Sequence, residues 1–166
     1  MADILNVRGL RLVPLAPIHI REVLVTKEMI KDARLLGYDS TQEMFEYMLI
    51  ETESYAVLDD SDTVIVITGL FHQDGTDSPQ MYAMFSAHAK GKGKSLFRAS
   101  RALVDHFHRW HPVLRMIISS QFPFMLQWAT WLGFEPVMHD AEGFIHFVRC
   151  NDEQVAFQAE HRPTKH

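Results

Sequence analysis

The chain has 166 residues, of which 47% are apolar and 22% are charged. That composition is typical of a globular protein large enough to bury a full core, and it excludes collagen-like, coiled-coil and wholly disordered chains. The 16 basic and 21 acidic residues give a formal net charge of -5, which argues against a dedicated nucleic-acid-binding protein. Cys150 is the only cysteine, so an intrachain disulfide is excluded and a reducing compartment is expected.

No targeting or membrane segment is predicted. The N-terminal residues lack the basic segment and apolar stretch of a secretory leader, and the longest apolar run, residues 64–71, is too short to span a bilayer. We therefore expect a cytoplasmic protein with no membrane partner. Because no repeat and no long linker interrupts the chain, a single domain is predicted over residues 1–150, followed by a polar tail over residues 151–166.

The first third of the chain is predicted to be mainly helical after one strand. Residues 10–15 form a short apolar strand that ends among prolines, and apolar side chains then recur at helical spacing over residues 18–25 and 29–36. Gly37 is a helix stop signal. A further amphipathic helix is predicted over residues 41–50.

After residue 50 the apolar residues no longer recur only at helical spacing, and strand-forming segments appear. Residues 55–58, 64–71 and 81–85 are rich in β-branched and aromatic side chains and are separated by turn-forming residues, so they predict consecutive antiparallel strands. The elements predicted after them are a helix over residues 95–110, a strand over 114–118, a helix over 124–132 and a strand over 144–148. The order predicts a mixed α/β fold with a central, mostly antiparallel sheet, one parallel βαβ crossover and flanking helices.

The loop between the strand at 81–85 and the long helix carries most of the chemistry. Its residues include Lys90, Gly91, Lys92, Gly93, Lys94 and Ser95. Glycines allow successive main-chain N–H groups to turn toward one point, and the start of a helix attracts phosphate. The three lysines add positive charge. A phosphate-bearing ligand is one interpretation, a solvated basic loop is the other, and spacing alone does not choose between them.

A nucleotide P-loop is disfavoured for the same residues. Gly93, Lys94 and Ser95 end like a P-loop, but His88 occupies the position of its required first glycine. The strand at 114–118 also leads into Ser119, Ser120 and Gln121 instead of a carboxylate that would hold magnesium. A metal site is not expected either, because His108 and His111 share a helical spacing without an apparent third ligand.

The run Lys90-Gly91-Lys92-Gly93-Lys94-Ser95 resembles the (Arg/Gln)-x-x-Gly-x-(Gly/Ala) loop of the GNAT acyltransferase superfamily. Leu132-Gly133-Phe134 is similar to the Leu-Gly-Phe that closes that family's second motif, at the usual separation from Gly93. The resemblance extends over about residues 80–148. It implies a GNAT-like fold that binds acetyl-CoA as cosubstrate for transfer of the acetyl group to an amine acceptor, whose identity the sequence does not reveal.

The resemblance also implies roles for individual residues. The main chain of Phe85 and Ala87 would pair with the pantetheine arm of acetyl-CoA. The pyrophosphate would bind to the loop whose residues are Lys90, Gly91, Lys92, Gly93, Lys94 and Ser95. The family's usual arginine or glutamine is Lys90 here, and its second small residue is Ser95.

The chain departs from the family at two positions of the catalytic region. The tyrosine that often protonates the leaving thiolate in this family falls by spacing on Ala129, and the family's asparagine falls on Phe122, next to Gln121. Candidates for proton transfer are Ser120, Gln121 and His72, and we expect His72 and His88 to lie at strand ends that face the same region.

A second hypothesis is a catalytically degenerate, architectural protein of the same fold. The lysine-rich loop, the helix after it and the missing tyrosine are similar to the GNAT-like internal virion proteins of short-tailed bacteriophages. That likeness is confined to about residues 88–135 and implies a role in virion assembly. The implied partners are other virion proteins or a second copy of this chain, and the implied location is the host cytoplasm or the virion.

Overall fold

The computed structural model describes residues 3–73 and 75–151. Apart from Asn151, the predicted polar tail at 151–166 lies outside these residues. The described residues divide into two compact units, one formed by residues 3–72 and 81–103 and the other by residues 73, 75–80 and 104–151. The prediction of one domain over residues 1–150 stays a prediction.

Eight strands and five α-helices occur in the part of the chain that the structure describes. The strands are β1 (Leu5–Val7), β2 (Leu10–Pro14), β3 (Glu53–Leu58), β4 (Val64–Phe71), β5 (Gln80–Phe85), β6 (Val113–Ser119), β7 (Glu135–His139) and β8 (Phe144–Cys150). The helices are α1 (Pro17–Glu22), α2 (Lys27–Leu35), α3 (Thr41–Glu51), α4 (Gly93–His108) and α5 (Pro123–Trp131). A short 3-10 turn covers Ala87–Ala89.

In the first unit, β1 to β4 are joined as antiparallel neighbours. Two of the helices begin with hydroxyl caps, since Thr26 accepts a hydrogen bond from the N–H of Met29 and Ser40 accepts one from the N–H of Glu43. Gly37, at φ +85°, follows the end of α2, as its stop signal predicted. The helices bury apolar side chains together with those of β2, β3 and β4, and these form the core of this unit.

In the second unit, β8 pairs with β6 on one side and β7 on the other, antiparallel in both cases. Gln80 pairs in parallel with Arg115. The strand order of the eight-stranded sheet is β1-β2-β3-β4-β5-β6-β8-β7. The predicted fold class is therefore confirmed: a mixed α/β fold with a mostly antiparallel sheet, one parallel pair and flanking helices.

The sequence pattern missed two strands, β1 and β7. β1 has only three residues, too few for an alternation of apolar and polar side chains to be recognised. All five residues of β7 are exposed, and the strand contains Pro136, which argues against a strand by pattern alone. No helix among the described residues has both the length and the apolar character that crossing a membrane requires.

Candidate functional site

The segment that joins β5 to α4 is fixed at its start by Ser86. This side chain is only 3% exposed. Its hydroxyl donates to the carbonyl oxygen of Val64 at 2.7 Å and accepts from the N–H of His88 at 3.2 Å. The N–H of Ser86 itself donates to the carbonyl oxygen of Ile65 at 2.9 Å. The beginning of the segment is therefore held against the first residues of β4.

Residues 90–95, here called the amide loop, are mostly exposed, and only Lys92 and Ser95 among them are half-buried. Gly91 has φ +81°, a left-handed conformation that favours glycine. A Cβ atom built on Gly91 or on Gly93 would have no heavy atom within 4 Å. The main chain can therefore be approached closely from outside at both positions.

The main-chain N–H groups of this segment fall into two sets. Those of Ala87, Ala89 and Lys92 donate to protein carbonyl oxygens. The second set has no hydrogen-bond acceptor among the described residues. It consists of the N–H groups of Lys90, Gly91, Gly93, Lys94 and Ser95. The last three are the first residues of α4, whose N–H groups have no intrahelical partner. Five free N–H donors and the positive end of a 16-residue helix therefore lie within six consecutive residues.

The carbonyl oxygen of Leu24 accepts the N–H of Ala87 at 3.1 Å. That N–H is therefore already used within the protein. Of the two residues expected to pair with pantetheine, Ala87 has only its carbonyl group left for such a contact.

Acidic groups lie close to the amide loop. A cavity of about 200 Å³ is bordered by Lys92 and Ser95, by the turn at Arg8 and by the turn at Asp59 and Asp60. The pKa of Asp59 is lowered although partial desolvation acts to raise it, because the N–H groups of Thr63 and Ser61 donate to this carboxylate and Lys92 is near. This side of the amide loop thus combines both signs of charge.

His72 does not lie beside the amide loop. Ser86 contacts Val64 and Ile65 at the start of β4, whereas His72 follows its end. Eight extended residues put the two ends of β4 more than about 20 Å apart. The expectation that His72 and His88 face the same region is therefore wrong, because β4 runs antiparallel to the strand that leads into the loop. His72 instead contacts Glu53, with 3.0 Å between Nε2 and a carboxylate oxygen.

Ser120 and Gln121 lie in the second unit, between β6 and α5. The N–H of Ser120 donates to the carbonyl oxygen of Gly143 at 2.9 Å, and the N–H of Gln121 donates to the hydroxyl of Ser119 at 3.2 Å. Ala129, at the position of the family's tyrosine, is fully buried in α5. It has no side-chain proton to donate.

Sequence reasoning missed a pair of ionisable groups in the β7–β8 hairpin. Asp140 and His146 are in hydrogen-bond contact, with 2.9 Å between a carboxylate oxygen and Nε2. The available signal was Asp140 followed by Gly143 in a turn, which predicts a hairpin once β7 is recognised as a strand. Because β7 was not predicted, the hairpin and the pair were not predicted either.

Comparisons with known proteins bear on the fold. No family model matches the chain, and no curated protein matches it. Among solved structures, a chimera of the spermidine N-acetyltransferase SpeG from Vibrio cholerae and hSSAT is similar with a TM-score of 0.70 and 12% identity, over 89% of this chain and 98% of that one. A GNAT-family acetyltransferase from Bacillus anthracis is similar with a TM-score of 0.69 and 8% identity, over the same shares.

The spermidine N-acetyltransferase from Vibrio cholerae has also been solved in complex with CoA and spermine. In that complex it is similar to this chain with a TM-score of 0.63 and 14% identity, over 89% of this chain and 98% of the other. The chain therefore has the fold of the GNAT acetyltransferases, as its sequence resemblance implied. The resemblance to internal virion proteins gains no support from these comparisons.

Proposed function

We propose that this protein binds acetyl-CoA through the amide loop and transfers the acetyl group to an amine. The observation that carries the proposal is the set of free N–H groups at Lys90, Gly91, Gly93, Lys94 and Ser95, on open main chain at the start of α4. Such donors suit the closely spaced oxygens of a diphosphate, and a helix N-terminus favours negative charge. Among the structural neighbours, the spermidine N-acetyltransferase solved with CoA and spermine supports this choice of ligand.

The lysines of the amide loop contribute to this role by charge. Lys90 and Lys94 are exposed, and Lys92 is half-buried beside the cavity next to Asp59. A flexible ammonium group acts on phosphate as a point charge and needs no fixed geometry. We expect the N–H groups to set where the diphosphate lies and the lysines to raise its affinity at low salt.

The transfer needs three things from the protein. It must hold the thioester, accept a proton from the attacking amine and let the thiolate leave. Because Ala129 supplies no proton, we propose that the thiolate is protonated by solvent. The acceptor class is open, and spermidine is the first amine to test, because structural neighbours of this chain are spermidine N-acetyltransferases.

Replacement of Gly93 by aspartate tests coenzyme binding. The new carboxylate would stand at the first residue of α4, where the diphosphate is proposed to bind, and like charges repel there. We expect the affinity for CoA in calorimetry to fall at least about tenfold. The fold should survive, because nothing lies within 4 Å of a Cβ atom at Gly93 and an acidic residue is favourable in a first helical turn.

The matched control is Gly93→Ala, which adds the Cβ atom without the charge. It should bind CoA within about threefold of the unmodified protein, since the N–H group is retained. Equal affinity of Gly93→Asp and Gly93→Ala would show that the diphosphate binds elsewhere. Absence of CoA binding by the unmodified protein would refute the proposed function and leave only the architectural hypothesis.

A further inference from the structure

The cavity of about 200 Å³ beside the amide loop has no role in the proposed diphosphate site. It is bordered by the β1–β2 turn at Arg8 and Gly9, by residues 59–61 of the β3–β4 turn, and by Lys92 and Ser95 of the amide loop. All of these residues belong to the first compact unit. Because a pocket for a whole drug-sized ligand has roughly 300–1,000 Å³, this cavity suits one group of a larger molecule.

Arg8 occupies a turn position that favours other residue types. Arg8 and Gly9 connect β1 to β2, and both have positive φ, +50° and +80°. Two-residue hairpin turns of this kind favour asparagine, aspartate or glycine at the first position, because larger side chains adopt the left-handed region less readily. The exposed guanidinium of Arg8 has no hydrogen-bond or ion-pair partner among residues 3–73 and 75–151. Its charge is therefore available to a ligand in the cavity.

Two further charged groups at the cavity lack a partner. The ammonium group of Lys92 and the carboxylate of Asp60 form no hydrogen bond or ion pair within the described part of the chain. Asp59 differs, because its carboxylate accepts two main-chain N–H groups of its own turn, at 2.9 and 3.0 Å. The Asp60 carboxylate lies against the β1–β2 turn, since a Cβ atom on Gly9 would be 3.1 Å from one of its oxygens.

Ser95 connects this cavity to the proposed diphosphate site. Its N–H is one of the five free donors of the amide loop, and the same residue borders the cavity. A ligand group in the cavity is therefore attached close to the diphosphate. That group must offer an anion to Arg8 and Lys92 and a hydrogen-bond donor to Asp60. A phosphorylated ribose offers both, as phosphate oxygens and as a neighbouring hydroxyl group.

We propose that this cavity binds the phosphorylated ribose of acetyl-CoA and makes the protein selective for a coenzyme that carries this phosphate. This assignment rests on the proposed function. Arg8 binds the phosphate, because a guanidinium group donates two parallel hydrogen bonds to two phosphate oxygens. Lys92 adds a point charge, and Asp60 accepts the hydrogen bond of the ribose hydroxyl.

The test compares the affinities for CoA and for dephospho-CoA, which lacks only the phosphate on the ribose, by calorimetry. We expect the unmodified protein to bind CoA at least about tenfold more tightly, and this preference to decrease at high salt. Arg8→Asn should reduce the preference to less than about threefold and leave the affinity for dephospho-CoA unchanged. Its melting temperature should not fall, because asparagine adopts positive φ more readily than arginine.

The matched control is Arg21→Asn, which removes the charge of an exposed arginine in α1 of the same unit and should keep the preference for CoA. Asp60→Ala should weaken both ligands by the same factor, since both keep a ribose hydroxyl, and tighter CoA binding would refute the role of Asp60. Equal affinity of the unmodified protein for CoA and dephospho-CoA, or an unchanged preference in Arg8→Asn, would overturn the assignment and leave the proposed function intact. A protein that binds neither ligand would overturn both.

Discussion

At the C-terminal end of α4, the side chain of His108 is only 2% exposed. Its Nδ1 donates to the carbonyl oxygen of His111 at 2.8 Å, and its Nε2 has no partner among the described residues. Burial lowers the pKa of His108, and the nearby Arg149 lowers it further, against the opposing effects of the bond to His111 and of Asp105. The folded protein therefore holds this imidazole neutral.

The lowered pKa of His108 predicts that the free energy of unfolding depends on pH. Between the lowered pKa in the folded state and the usual value of about 6.5 in the unfolded chain, the unfolded state binds more protons. The stabilising contribution is therefore complete above about pH 6.5 and is lost as the pH falls toward the folded-state pKa. Denaturant unfolding at a series of pH values should show this decrease in the free energy of unfolding.

The His108→Phe variant should lower stability near neutral pH, because the bond to His111 is lost, and should flatten the dependence on acid pH. His139→Gln, at an exposed position, serves as the control and should keep the slope of the unmodified protein. If the free energy of unfolding depends on pH equally in His108→Phe and in the unmodified protein, the acid sensitivity belongs to other groups. Buried His19, whose pKa is also lowered, is the first of these to examine.

At the scale of elements, the junction of β5 and α4 depends on one buried hydroxyl. Replacement of Ser86 by alanine removes the donor to Val64 and the acceptor for His88. We expect the free energy of unfolding to fall by about 1–3 kcal/mol, since buried polar main-chain groups lose their partner. Ser61→Ala, at an exposed turn position, should change it by less than about 0.5 kcal/mol in the same denaturant titration.

The contact of β4 with β3 requires a glycine at position 69. A Cβ atom there would lie 2.2 Å from the carbonyl oxygen of Glu53 and 2.7 Å from the hydroxyl of Tyr82. Because the closer atom belongs to the main chain, Gly69→Ala must displace a strand, and we expect a loss of about 1–3 kcal/mol in the free energy of unfolding. The control is Gly93→Ala, where the new Cβ atom has no atom within 4 Å and the free energy of unfolding should hardly change. Similar melting temperatures of Gly69→Ala and Gly93→Ala would contradict this account.

At the scale of the whole molecule, the sequence predicted the buried strands well and the edges poorly. The predicted bounds of β4 are those observed, because nearly all of its residues are buried and apolar. β1 and β7 lie at the two ends of the strand order, where few side chains are buried and the apolar pattern is weak. Pro136 and the irregular pairing near it also discourage a further strand from adding to β7.

The sequence by itself determined the succession of strands and helices and the position of a glycine- and lysine-rich loop before the longest helix. These features depend on local periodicity and on residues adjacent in the chain. Which N–H groups of that loop are free, the separation of His72 from it, and the pairing of Asp140 with His146 were decided only by the tertiary structure. Each of these depends on strand register and on hydrogen bonds between residues distant in sequence, which a local pattern does not encode.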